Sequence, residues 1–252
     1  MLVNSEIIFD FRKMKPKTIF WVTVFAVSMG FFESAVVIYL REIIYPSGFA
    51  FPLQPIEGIL ATTEIVREAF SLLMLLSIGI LVGKSTVTRL AYFLYSFAVW
   101  DIFYYIFLKI FINWPESLMT MDILFLLPVP WVGPVIAPLI LSFLMILLAL
   151  LILYFSVRND QVHVKAHELV LLITGSVIVI ISFTQDFIKF ILSHYSAADI
   201  WSPSANDIFK YSAQYDPGNF YWPIYVVGVV FILIGIGLFT KRNILLTKNF
   251  SQ

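Results

Sequence analysis

The chain has 252 residues, of which 60% are hydrophobic and only 13% are charged, whereas about 25% of the residues of an average soluble protein are charged. This composition excludes a soluble globular protein. The sixteen basic and sixteen acidic residues cancel, so the overall charge gives no reason to expect a nucleic-acid partner. Cysteine is absent, which excludes disulfide bonds, thiolate metal sites and cysteine nucleophiles.

Six apolar segments follow one another along the chain, each bounded by charged residues, proline or glycine. Each segment is long enough to cross about 30 Å of hydrocarbon as a helix. The pattern predicts an all-α, polytopic integral membrane protein: a six-helix bundle forming one transmembrane domain over residues 1–252. The predicted spans are 18–40, 59–82, 90–112, 133–155, 169–193 and 222–239.

Lysine and arginine are distributed unequally among the segments that flank these spans. Eleven lie before span 1, between spans 2 and 3, between spans 4 and 5, or after span 6, and three lie in the other connections. Because cytoplasmic loops are enriched in Lys and Arg, we expect both termini in the cytoplasm, N-in and C-in. The expected location is a cell membrane, taken to be a bacterial inner membrane, with the lipid bilayer as a partner.

The two longer outer connections have patterns of their own. After span 3, the apolar run Met121–Leu127 is too short to span the bilayer and is stopped by Pro128 and Pro130, which predicts an interfacial or re-entrant half-helix. Before span 6, the stretch Ala197–Tyr221 carries three aspartates among aromatic residues. This stretch predicts an amphipathic flap on the outer surface.

Seven ionisable residues fall inside the predicted spans, apart from Lys109 at the outer end of span 3, which is counted with the connection that follows. Each costs about 2.5–3.5 kcal/mol at the centre of a membrane helix, so together they exceed the net stability of about 5–15 kcal/mol that is typical of a domain. Counting about 1.5 Å of rise per residue places all of them in the outer half of the bundle. We therefore predict that they line an outward-opening cavity. The seven are Glu33, Glu64, Arg67, Glu68, Asp101, Asp186 and Lys189.

One group of three lies within the second predicted span. Glu64, Arg67 and Glu68 occupy positions i, i+3 and i+4, so they share one face of a helix. Arg67 is therefore predicted to bridge both glutamates. Such a group serves either a binding site or a purely structural clamp between helices, and the sequence leaves both interpretations open.

Two further groups show the same one-turn spacing. Asp101 is followed by Tyr104 and Tyr105, whose phenols offer hydrogen bonds to the carboxylate or to a ligand. The alternative for the tyrosines is an aromatic belt at the membrane surface. Asp186 and Lys189 form a candidate ion pair.

The charges of this predicted layer do not balance. Five acids face two bases, so either some carboxylates are protonated or a cation joins them. Carboxylate ligands without His or Cys suit Mg²⁺, Ca²⁺ or Mn²⁺. A divalent cation is therefore a candidate cofactor, with candidate ligands Glu33, Glu68, Asp101 and Asp186.

Three functions fit these patterns. The leading hypothesis is an outward-facing intramembrane pocket that binds a cationic or metal-coordinated small ligand, or protons, in transport or sensing. The second is an enzyme, a hydrolase or transferase that acts on a lipid or lipid-linked substrate in the outer leaflet with carboxylates and a divalent metal. The third is a structural or assembly subunit of a membrane complex.

Overall fold

A computed structural model describes residues 15–46, 48–54, 58–127, 129–159, 161–196, 211–212 and 214–249. The described residues contain six helices that are long and apolar enough to cross a membrane. The prediction of six apolar helices of membrane-spanning length is thereby confirmed. The helices are α1 (Pro16–Ile44), α2 (Gly58–Val82), α3 (Thr86–Ile112), α4 (Ile136–Ser156), α5 (Ala166–Leu192) and α6 (Trp222–Asn249).

Local sequence explains where several of these helices begin and end. Pro16 occupies the first turn of α1, where its missing N–H costs no hydrogen bond. The side chains of Ser85 and Thr88 cap the start of α3 reciprocally. Asn113 follows the end of α3 in the left-handed conformation, with φ 51°, which is a common way to stop a helix.

The segment after α3 is a β-hairpin, so the predicted half-helix at 121–127 is wrong. Strand β1 (Met121–Phe125) pairs in antiparallel fashion with β2 (Trp131–Pro134), and Ile123 lies opposite Val132. A short apolar run fits a strand as well as a helix, and β-branched and aromatic residues on both strands favour pairing. The strand pairing satisfies backbone N–H and C=O groups that would otherwise lack hydrogen-bond partners.

The predicted flap lies mostly outside the described residues, since residues 197–210 and 213 are not among them. Of the flap's described residues, Tyr215 is buried against Phe187 and Ile191 of α5.

The helices pack in two groups. Helix α3 lies against α1, α2 and α4, and α5 lies against α6. Helices α1 and α2 both pack on α3 but have little direct contact with each other. We call the end of the bundle that carries β1 and β2 the hairpin end. A large cluster of buried apolar side chains lies toward the opposite end, around Leu148–Phe155 of α4 and Phe239 of α6.

Candidate functional site

A cavity of about 140 Å³ lies at the hairpin end, between α1, α2 and α3 and against β1. Helices α1 and α2 both pack on α3 but have little contact with each other, and the cavity lies in the gap between them. Five of the seven ionisable residues singled out in the spans line it, together with Tyr104 and Tyr105. The ionisable residues that line the cavity are Glu33, Arg41, Glu64, Arg67, Glu68, Asp101 and Asp122.

The guanidinium of Arg67 joins α1 to α2 across this gap. It donates from Nε to Oε2 of Glu64 at 2.9 Å, from Nη2 to the other Glu64 oxygen, and from Nη1 to Glu33. The hydroxyl of Ser71 donates to the second Glu33 oxygen at 3.3 Å. Arg67 thus pairs with one glutamate of its own helix and one of α1, and the predicted bridge to Glu68 is wrong.

Glu68 contacts the hairpin instead. Its two carboxylate oxygens accept the backbone N–H of Leu126 at 3.1 and 3.0 Å. Leu126 directly follows β1, so this carboxylate holds the end of the strand over α2. The donors are neutral, which leaves the charge of Glu68 without a directly bonded cation.

Asp122 of β1 and Arg41 of α1 form a second contact between the hairpin and the helices. Arg41 Nη2 lies 3.2 Å from Asp122 Oδ1, and the Tyr105 hydroxyl donates to Oδ2 at 3.2 Å. The Arg41 guanidinium lies 3.7 Å from the ring centre of Trp114 and 4.5 Å from that of Phe49. Burial raises the pKa of Asp122 to about 6, although Arg41 opposes this shift.

Sequence reasoning missed both partners of this pair. Arg41 follows the predicted first span, where it counts as a loop charge, and Asp122 lies in a short run that was predicted as a half-helix. The available signal was a single acid within an otherwise apolar run. Such an acid is buried only with a partner, and Asp122 is in fact 1% exposed.

Asp101 lies on α3 and faces α4. Its Oδ2 accepts a hydrogen bond from the hydroxyl of Ser142 at 2.8 Å. Tyr105 donates to Asp122 rather than to Asp101. The rings of Tyr104 and Tyr105 lie side by side, with their centres 4.8 Å apart. Within the described residues, no ion pair joins Asp101 or Glu68 to a basic side chain.

Asp186 and Lys189 do not line the cavity. Asp186 accepts the hydroxyl of Tyr215 at 2.8 Å and the N–H of Gly218 at 3.3 Å. Lys189 Nζ lies 4.5 Å from the ring centre of Tyr221. No ion pair between Asp186 and Lys189 occurs in the described part of the chain, so this predicted pair is wrong.

The predicted four-acid metal site loses one of its members, because Asp186 of α5 does not line the cavity and is bonded to Tyr215 of the connection before α6. Over residues 15–249, apart from the gaps given above, no three His, Asp or Glu side chains form a group that could hold a metal ion. A divalent cofactor stays a prediction of the sequence.

The lining as a whole is acidic. Five carboxylates and two guanidinium groups face the cavity, which leaves an excess of three negative charges when all are ionised. Comparison with known proteins finds no family model, no curated protein and no solved structure that matches this chain. A proposal for this cavity therefore has to follow from the chemistry of its own side chains.

Proposed function

We propose that this multi-pass membrane protein binds a cationic small ligand in the acidic cavity at the hairpin end, as part of transport or sensing. The positive-inside pattern favours an outward-facing cavity, because the connections at the opposite end carry most of the lysine and arginine. Carboxylates within membrane helices are costly and are generally retained for binding or proton movement.

One observation carries this proposal: Glu68 and Asp101 line one cavity and receive hydrogen bonds only from neutral groups among the described residues, namely the Leu126 N–H and the Ser142 hydroxyl. The other three acids of the lining already have cationic partners: Glu33 and Glu64 pair with Arg67, and Asp122 pairs with Arg41. An ionised carboxylate inside a membrane helix bundle is unfavourable without a cation, and Glu68 is buried while Asp101 is partly buried. A guest with a positive charge would relieve this cost at both residues.

An organic amine fits the site better than a bare metal ion. An ammonium group brings its own hydrogen-bond donors and needs no fixed set of three or more oxygens. The volume of about 140 Å³ is close to the cavity of about 150 Å³ that accepts benzene in another protein. The site therefore has room for a guest of several heavy atoms.

Isothermal titration of the purified protein with ethanolamine tests the proposal, in nanodiscs whose lipids carry no amine. We expect saturable binding that weakens about tenfold or more in Asp101→Asn and in Glu68→Gln, because each variant removes a charge that contacts the ammonium. Glu42→Gln is the matched control, since Glu42 is exposed on α1 and does not line the cavity. Unchanged affinity in folded Asp101→Asn and Glu68→Gln proteins would contradict the proposal.

A further inference from the structure

The cavity also contains hydrogen-bond donors that no cation can satisfy. Arg41 Nη1 and Trp100 Nε1 are buried and have no hydrogen-bond partner among the described residues, and both side chains line the cavity. Trp100 is 6% exposed, so bulk water does not reach its indole nitrogen. An indole N–H only donates, and leaving it unpaired costs free energy. A guest that satisfies it must offer an acceptor oxygen.

Arg41 is held in a fixed orientation for such a guest. The rings of Trp114 and Phe49 lie at 3.7 and 4.5 Å from its guanidinium carbon, and Nη2 is bound to Asp122 at 3.2 Å. Its second amino group, Nη1, is left free to donate to a guest. A planar guanidinium stacked on aromatic rings suits the oxygens of phosphate.

We propose that the ligand is a phosphorylated amine of the phosphoethanolamine type. Its ammonium group interacts with Glu68 and Asp101, and its phosphate oxygens accept from Arg41 Nη1 and Trp100 Nε1. This proposal rests on the proposed function, because it assigns the cationic group to the same cavity and adds an anionic one. A simple amine leaves the donors unpaired, and free phosphate is repelled by the excess of carboxylates.

The surrounding packing favours a lipid headgroup as the source of this chemistry. Helices α1 and α2 have little direct contact, and the Arg67 side chain that bridges them retains 19% exposure. On this proposal, the guest enters the cavity between these two helices. A phosphatidylethanolamine headgroup can enter there while its acyl chains remain in the bilayer.

Titrations with ethanolamine, O-phosphoethanolamine and inorganic phosphate test the proposal on the wild-type protein, without any variant. We expect O-phosphoethanolamine to bind at least about tenfold more tightly than ethanolamine, because its phosphate adds two charge-assisted contacts. We expect no measurable binding of inorganic phosphate. Equal affinities for the two amines would overturn this inference and leave the cation site intact. Failure of both amines to bind would remove the proposed function as well.

Variants locate the phosphate. Trp100→Phe keeps an aromatic ring but removes the N–H. Arg41→Lys keeps the charge but removes the planar guanidinium with its two amino groups. Both are expected to bind O-phosphoethanolamine no better than ethanolamine. Trp131→Phe is the matched control, because Trp131 Nε1 is also buried without a partner in the described residues but lies outside the cavity. If Trp100→Phe and Arg41→Lys both retain the full preference for the phosphorylated amine, ordered water satisfies these donors and the inference is wrong.

A last comparison separates a lipid from a soluble ester. Native mass spectrometry measures the competition between phosphatidylethanolamine and glycerophosphoethanolamine for the wild-type protein. Preferential retention of the lipid supports entry from the bilayer through the gap between α1 and α2. Preferential retention of the soluble ester supports the same headgroup chemistry, with entry from the aqueous side. Retention of neither would contradict the inference.

Discussion

The backbone N–H of Leu126 donates to both carboxylate oxygens of Glu68, at 3.1 and 3.0 Å. This contact joins the end of β1 to the middle of α2, and the pair formed by Arg41 and Asp122 joins the same strand to α1. Two acids of the cavity therefore hold the hairpin over it. The lining and its cover are built from the same residues, so a change in one is expected to affect the other.

Removing the Glu68 carboxylate should loosen the hairpin. A hydrogen bond to a charged group contributes about 1.5–3 kcal/mol, so Glu68→Ala is expected to speed amide exchange at residues 121–127 about tenfold or more. Hydrogen–deuterium exchange of the purified protein measures this directly. Glu68→Gln retains an acceptor oxygen and is expected to lie between Glu68→Ala and wild type, and Glu42→Ala should have no effect. Equal exchange in Glu68→Ala and wild type would show that the contact does not hold the strand.

Asp122 should make the protein less stable as the pH rises from 5 to 7. Burial raises its pKa in the folded state to about 6, from an ordinary value of 3.8. Between these values the folded state binds more protons than the unfolded state, so the free energy of unfolding falls with increasing pH. The contribution of this one residue between pH 5 and 7 is about 1 kcal/mol.

The measurement is thermal unfolding in detergent at both pH values. Asp122→Asn is expected to lack this part of the pH dependence, because an amide does not titrate in this range. Asp216→Asn, at an exposed residue of the connection before α6, serves as the control. A pH dependence equal to that of wild type in Asp122→Asn would contradict the assignment.

Arg67 should be a major source of stability at the gap between α1 and α2. Its removal leaves Glu33 and Glu64 without their shared cation, and breaking such a pair costs about 3 kcal/mol when it is buried. We expect a large fall in unfolding temperature for Arg67→Ala and none for Lys84→Ala, at an exposed loop residue. Adding Glu33→Gln and Glu64→Gln to Arg67→Ala should restore much of the loss. No recovery in the triple variant would mean that packing, rather than charge, explains the fall.

The orientation of the bundle can be checked on a chain that has no cysteine of its own. Lys84, Glu116 and His163 are all exposed and lie in connections between helices. If both termini are cytoplasmic, a membrane-impermeant maleimide should label Glu116→Cys in intact cells. Lys84→Cys and His163→Cys should react only after the cells are permeabilised. The reverse pattern would place the cavity on the cytoplasmic side.

The sequence was sufficient to predict the six helices because each span is a long apolar run, and in a bilayer such a run has to satisfy its own backbone hydrogen bonds. Depth and one-turn spacing also pointed to the cavity residues of α2 and α3. The depth of a residue within its span does not specify, however, which neighbouring helix its side chain faces. Asp186 lies at a similar predicted depth, but α5 packs on α6 and turns this carboxylate toward Tyr215.

The hairpin was not predictable for a related reason. A run as short as Met121–Phe125 carries no periodicity that separates a strand from a helix, and its state depends on pairing with Trp131–Pro134. Arg41 of α1 and Asp122 of β1 are 81 residues apart in the chain and meet only when the hairpin is folded against the helices. Their contact is therefore a tertiary property, which neither local spacing nor hydropathy records.

A final test concerns the packing of α5 on α6, at residues that do not line the cavity. A Cβ at Gly175 would lie 2.7 Å from the carbonyl oxygen of Gly228, and one at Gly228 would lie 2.8 Å from that of Gly175. The two helices thus approach at a pair of glycines, as is common in membrane bundles. A Cβ at Gly237 on α6 would have no atom within 4 Å.

Gly175→Ala and Gly237→Ala should therefore change stability in opposite directions. Alanine is favoured over glycine within a helix by about 1 kcal/mol, and Gly237→Ala gains this without a clash. At Gly175 the clash is with backbone that cannot move aside, and overpacking of this kind costs about 1–3 kcal/mol, so the unfolding temperature should fall. Ethanolamine binding should be unchanged in both variants, because neither glycine lines the cavity. A rise in unfolding temperature for Gly175→Ala would mean that α5 and α6 do not approach as closely as the glycine pair indicates.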